Sequence, residues 1–175
     1  MIEERKRKAM DISFPTAEGK FNYRVCALLL QEGKILAMQD ERSPYYYLPG
    51  GRVQMGETAE QAVMREVREE LGVAVEIQRP LWLNQAFFTE DVDHLFYHEL
   101  CLYFLMEPVG PDLLSKGETF ILNEGRHVHR FTWLKYERLR EEYFYPLFLK
   151  EEIFHLPQEL TLRTEREQTL EKLLL

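Results

Sequence analysis

Short, dense apolar runs alternate with polar turns along most of the chain, and one stretch breaks that rhythm with a helical period. The first dense run, "NYRVCALLLQ" at 22–31, predicts a buried strand. A Glu-Gly pair at 32–33 turns the chain into "KILAMQD" at 34–40, and the two runs predict a hairpin. "RSPYYYLPGG" at 42–51 carries an extended aromatic segment into a Pro-Gly-Gly turn. From residue 58 to 71 the apolar positions change period. Ala59, Ala62, Val63, Val67 and Leu71 fall on one stripe of a helix. Thr58 followed by Gln61 predicts a capping box, and Gly72 stands where a C-terminal cap glycine belongs.

Strand-like runs follow at 75–88, interrupted by Pro80, and at 97–106, with the acidic turn "TEDVDH" between them. Residues 107–125 hold two prolines and three glycines and are expected to form a loop with a short ordered piece. "HVHRFTWLKY" at 127–136 predicts another strand, and "ERLREEYFYPLFLKEEIF" one or two short helices broken near Pro146. The last twenty residues read as one strand and a charged tail. The order of elements predicts a mixed α/β or α+β fold. No linker divides the 175 residues, so one domain is expected, with a core at about 20–150 and extensions at 1–19 and 151–175.

Composition narrows the function. The formal net charge of -8 disfavours a generic nucleic-acid surface, which needs basic patches. The N-terminus "MIEERKRKAMDISF" lacks the apolar core of a secretory signal, and no apolar run approaches the length of a bilayer span. A cytoplasmic location without membrane attachment is the expectation. Cys26 and Cys101 lie in apolar runs without metal-ligand spacing and read as core thiols.

Five glutamates and three arginines fall within "GRVQMGETAEQAVMREVREELGV" at 51–73. On a helix Glu66, Glu69 and Glu70 share one side, away from the Ala62, Val63 and Val67 stripe. Like charges at that spacing repel by a few tenths of a kcal/mol per pair, and a cation between them reverses the sign. Carboxylate oxygens suit Mg²⁺ or Mn²⁺, which keep room for substrate phosphates. A solvated acidic face is the competing explanation. Against it, the stretch fits G-x5-E-x7-R-E-U-x-E-E-x-G-U, U being bulky aliphatic, at Gly51, Glu57, Arg65, Glu66, Val67, Glu69, Glu70, Gly72 and Val73. A full match by accident is on the order of one in ten million from average residue usage.

That pattern is the signature of the Nudix hydrolases, which this chain closely resembles. "YYYLPGG" before the box and "FTWLKYERL" after it extend the resemblance over about residues 20–150. The resemblance implies an α/β/α sandwich around a mixed sheet, with the box as loop–helix–loop. It also implies Mg²⁺- or Mn²⁺-dependent hydrolysis of a nucleoside diphosphate linked to another group X. Carried over by position, Glu66, Glu69 and Glu70 are metal ligands, with the Gly51 carbonyl as a further one. Arg65 and Glu57 pair to brace the loop, and Gly50 and Gly51 let backbone approach the site. The general base comes from different places in this family, so Glu69 in the box and Glu99 outside it are alternative candidates here, with Glu90 a third.

Outside the box, Glu99 sits among apolar neighbours on an interior strand, as a metal ligand or base, or paired with an arginine. Arg24 is a phosphate contact or a surface strand residue. Tyr45, Tyr46 and Tyr47 pack the sheet, with Tyr47 the one assigned to stack on a base, and Phe88 shares that ambiguity. His127 and His129 read as structural. Members specific for ADP-ribose tend to carry a proline about fifteen residues past the box, and dinucleoside polyphosphate members a tyrosine slightly further on. Here "FFTED" at 87–91 has neither, which favours nucleoside triphosphates or sugar nucleotides. Two rivals remain: a silent domain that binds a nucleotide as a sensor, and isomerase chemistry on an isoprenoid diphosphate. The intact box weighs against the first. The second needs a cysteine/glutamate pair that Cys26 and Cys101 do not obviously supply. Homodimers are common in the family, and no segment marks an interface.

Overall fold

A computed structural model describes residues 9–110 and 113–167. The chain runs β1 (Ser13–Pro15), β2 (Lys20–Gln31), β3 (Lys34–Gln39), β4 (Gly50–Arg52), α1 (Ala59–Leu71), β5 (Ala74–Thr89), β6 (Phe96–Val109), β7 (Thr119–Glu124), β8 (His127–Lys135), α2 (Leu149–Glu152) and β9 (Thr161–Arg166). The described strands form one mixed sheet in the order β7-β8-β3-β2-β6-β5-β9, with β1 and β4 also paired to β2. The β2/β6 and β5/β9 pairs are parallel and the others antiparallel.

The β2–β3 hairpin forms, but the two strands pair only at Leu30–Ile35 and Gln31–Lys34 before they diverge. The tyrosine and glycine segment fills the gap. Tyr47 exchanges two backbone hydrogen bonds with Met38, and Pro49 O accepts from Ala27 N at 2.8 Å. A short extended segment is thus stitched into the middle of the sheet, ending in the glycine turn that the site uses.

The capping box forms as its residues require. Thr58 Oγ1 accepts from Gln61 N at 3.2 Å, and Thr58 N donates to Gln61 Oε1 at 2.9 Å. Gly72 ends the helix at φ 67° with its N–H on Arg68 O. The apolar stripe of α1 is buried against Val25, Ala27, Leu29, Phe104 and Met106. Each fully buried valine or leucine there contributes about 1.5–3 kcal/mol. A second core lies on the other face of the sheet, where Trp82, Tyr103, Phe144, Phe148 and Leu149 surround Cys26 and Cys101.

The sandwich is therefore uneven. α1 covers one face, and turns with the short α2 cover the other. The region expected to break near Pro146 is a 3₁₀ turn at Tyr136–Arg138, irregular chain, and α2. Pro80 sits inside β5, where register shifts on either side of it accommodate the missing N–H.

The expected 107–125 loop needs correction. β6 continues to Val109, a 3₁₀ turn occupies Leu113–Lys116, and β7 spans Thr119–Glu124 in register with β8. The glycines punctuate rather than dissolve the structure, with Gly117 before β7 and Gly125 in the β7–β8 turn. Both flanking stretches add strands, β1 at one end and β9 at the other. The charged N-terminal residues 1–8 and the charged tail at 168–175 lie outside the described residues.

Candidate active site

Gly50 and Gly51 are required for different reasons. A Cβ on Gly50 would stand 2.2 Å from the Val25 carbonyl oxygen, and φ is 144°. Only glycine tolerates that backbone and that approach. A Cβ on Gly51 would meet the Glu66 carboxylate at 2.4 Å. The turn thus lies directly against the glutamate side of α1.

Arg65 organises the carboxylates. Its Nε donates to Glu57 Oε1 at 2.8 Å and its Nη2 to Glu57 Oε2 at 2.9 Å, a bidentate pair. Nη2 also reaches Arg52 O at 3.1 Å, while Nη1 reaches Glu66 Oε1 at 2.8 Å and Glu69 Oε2 at 3.1 Å. Arg65 holds Glu57 below the usual carboxylate range, helped by the Gln54 N–H. The same contacts, Glu57 first, raise the Arg65 guanidinium. Glu57 before the helix and Arg65 within it are thus tied by two hydrogen bonds.

The three box glutamates do not share one solvated side. Glu69 has a side chain 45% exposed, Glu66 only 16%. Glu70 is buried at 6%, on the edge of the apolar stripe. It accepts a hydrogen bond from Gly50 N at 3.0 Å and makes no ion pair among the described residues. Glu70 follows Val63 by seven residues and Val67 by three, the spacing that sets it on the edge of the buried stripe. Burial raises Glu70 well above its ordinary value, and the charge of Glu66 adds to the effect. Burial also raises Glu66, with Arg65 opposing.

Glu124, at the end of β7, is a carboxylate that the sequence reading passed over. Its charge adds to that of both Glu66 and Glu70. It lies on the inward-facing side of β7 with Phe120 and Leu122, which pack against the α1 core. The signal was the alternation in "TFILNE", hidden by the surrounding glycines.

The other candidates are spread over several elements. Asn22 and Glu99 are register partners, as are Arg24 and Cys101, so these side chains share the sheet face opposite the α1 stripe. Asn22 Nδ2 donates to Glu99 Oε2 at 3.3 Å. Burial acts against the Arg24 charge, and Glu99 with the two thiols outweighs it and leaves the guanidinium above its usual value. The Arg24 charge also acts to lower Glu70, against the larger effect of burial. Tyr47 packs on the α1 side and Tyr46 on the other. Phe88 stacks on Tyr97 with centroids 5.5 Å apart. Glu90 accepts from Tyr45 OH at 2.6 Å and from Val92 N and Asp93 N, which ties it to the β5–β6 turn.

Among the described residues no three acidic, thiol or imidazole groups converge closely enough to hold a cation as they stand. Arg65 takes up Glu66 and Glu69, and Gly50 takes up Glu70. The donor set still fits a hard divalent ion. It consists of oxygen alone, it sets the buried Glu70 beside the half-buried Glu66, and the missing Cβ of Gly51 lets the Glu66 carboxylate lie against the turn.

A mixed sheet that presses a carboxylate-bearing helix onto a double-glycine turn defines the class of protein. The family model described as NUDIX domain matches residues 20–154, and the chain belongs to that family. An ADP-ribose pyrophosphatase from Methanocaldococcus jannaschii is 30% identical over 107 residues, covering 57% of this chain and 61% of that protein. This chain therefore spans less than two thirds of that relative. Nucleoside triphosphatase NudI from Escherichia fergusonii is 30% identical over 127 residues, 67% of this chain and 84% of that one. An ADP-ribose pyrophosphatase structure from Streptococcus suis matches with a TM-score of 0.56 at 18% identity, covering 82% of this chain and 98% of that one. A NUDIX hydrolase from Nitrosomonas europaea gives 0.56 at 19% identity, covering 83% and 79%. At such identity these structures share the fold.

Proposed function

We propose that the protein is a divalent-metal-dependent pyrophosphohydrolase that cleaves a nucleoside diphosphate linked to X by attack of water at phosphorus. The observation that carries this reading is the Glu66–Glu70 corner. A buried carboxylate, Glu70, and a half-buried one, Glu66, face a glycine turn, and Glu70 has no cationic side chain bonded to it among the described residues. Such a pair is costly unless a cation joins it.

Glu66, Glu69, Glu70 and the Gly51 carbonyl would hold Mg²⁺ or Mn²⁺. A bound divalent cation supplies Lewis-acid polarisation of phosphate oxygens and acidifies water. Arg65 and Glu57 hold the loop and helix in register. Arg24, balanced by Glu99 on the face opposite the α1 stripe, exerts its charge on Glu70 and is read as a contact for a substrate phosphate oxygen. The proton of the attacking water passes to Glu69. Glu99 is read as the counter-charge of Arg24, and Glu90 as a fastener of the β5–β6 turn. Phe88 with Tyr97 offers an aromatic surface for a base, and Tyr47 braces the glycine turn.

The relatives and the missing markers together support a reading of the substrate class. One curated relative is named for ADP-ribose and another for nucleoside triphosphates. The chain lacks the ADP-ribose proline, which favours nucleoside triphosphates or sugar nucleotides. The test is a phosphate-release screen over nucleoside triphosphates, oxidised deoxynucleotides, ADP-ribose, sugar nucleotides and dinucleoside polyphosphates, with Mg²⁺, Mn²⁺ or EDTA. A hit abolished by EDTA is the expected result. Glu70→Gln should lower kcat at least about a hundredfold with its melting temperature retained, since such charge stabilisation is worth several kcal/mol. Wild-type rates in folded Glu70→Gln would remove the assignment. No turnover on any substrate, with metal binding intact, would favour a nucleotide-binding module without chemistry.

A further inference from the structure

The β7–β8 hairpin carries a buried histidine for which the hydrolytic reading has no use. His129 is 7% exposed, and its Nε2 lies 3.1 Å from Glu124 Oε2. The strand register pairs Glu124 with His127 and Leu122 with His129, so this contact runs diagonally along the inner face of the hairpin. The ring is packed in place, with Phe131 and His127 centroids 6.3 and 6.4 Å away. Its Nδ1 is buried and has no hydrogen-bond partner. An orphaned lone pair costs less than an orphaned N–H, so the hydrogen belongs on Nε2, where it donates to Glu124.

The Glu124 side chain is 37% exposed, and without a fixed partner it would sample several rotamers. Its charge nonetheless reaches both Glu66 and Glu70. We propose that His129 is a positioning residue that holds Glu124 toward the Glu66–Glu70 corner, so that the box receives a fourth carboxylate from outside its own sequence. The inference rests on the metal-site reading above and adds a device to it. An imidazole wedged in the sheet sets the direction of an otherwise mobile ligand. Partners of this kind typically change metal affinity or activity by about 10–100-fold when removed.

The experiment is Mn²⁺ binding to the full chain, followed by electron paramagnetic resonance, with folding checked by thermal melting. His129→Phe keeps a ring of similar bulk and lacks the donor, whereas His129→Gln keeps a donor. His129→Leu serves the same comparison should the larger ring not fit. The dissociation constant is expected to weaken about tenfold or more in His129→Phe and in Glu124→Gln. The double variant should be no weaker than Glu124→Gln alone. His129→Gln should stay within about threefold of wild type, since the hydrogen bond to the carboxylate is retained. Wild-type Mn²⁺ affinity in folded His129→Phe, or additive losses in the double variant, would overturn the proposal. Hydrolysis is assayed in parallel. A chain that shows this binding pattern yet turns over no substrate keeps the His129 role and loses the hydrolase reading.

Discussion

Adjacent glycines with opposite constraints make a sharp comparison at the scale of single residues. At Gly50 the obstacle is backbone, the Val25 carbonyl, and the chain has a positive φ. Gly50→Ala is expected to destabilise the fold measurably, by about 1–3 kcal/mol from strain of this kind. At Gly51 the obstacle is the end of a flexible side chain, Glu66. Gly51→Ala should melt near the wild-type temperature while losing at least about tenfold in metal-dependent rate, because the carboxylate is displaced. Urea titration beside a rate assay separates the two. Similar melting losses in both variants would contradict this division. Arg65 is equally specific. Its forked head meets Glu57, Glu66, Glu69 and the Arg52 carbonyl at once, which a lysine ammonium cannot reproduce.

Among the elements, α1 was the most legible from sequence. Stripe, capping box and terminal glycine each depend on residues within a few positions of one another, so local chemistry determines them. Thr58→Ala should cost about 1 kcal/mol in urea unfolding. The Glu57–Arg65 brace gives this element a pH dependence. Glu57 is depressed in the fold, so its contribution is complete above its unfolded value near 4.5 and is lost as pH falls through the folded value. Wild type should therefore lose more stability than Glu57→Gln on acidification below about pH 4.5. Equal losses in the two would deny the brace. The box glutamates were legible as a group for the same reason as the helix. Glu124 was not, because its meaning depends on β7 pairing with β8 and packing on α1. The apolar neighbours of Glu99 left a base, a metal ligand or an arginine partner open, and only the register shows that Asn22 and Arg24 are its neighbours.

For the whole molecule, the sheet is split and covered unequally. One face rests on a helix of thirteen residues and the other on a four-residue helix and turns. The thin side depends on a few large side chains, so Leu149→Ala should cost about 2–5 kcal/mol. The box is on the other face, and its activity should persist below the lowered melting temperature. Loss of catalysis in folded Leu149→Ala would show that the two layers are coupled. None of the described helices is long and apolar enough to cross a membrane. The strands at both ends, β1 and β9, show that chain beyond the family-matched segment completes the sheet.

Glu70 is held by the main-chain N–H of Gly50 and by no side chain among the described residues. That donor belongs to every amino acid except proline, so drift at position 50 can strain the chain without deleting the group that steadies the carboxylate. The same atom is also a natural reporter. A glycine amide hydrogen-bonded to a buried carboxylate should change its nuclear resonance when a cation draws that carboxylate away. Filling of the site could then be followed from one backbone signal, without a label, a substrate or a mutation.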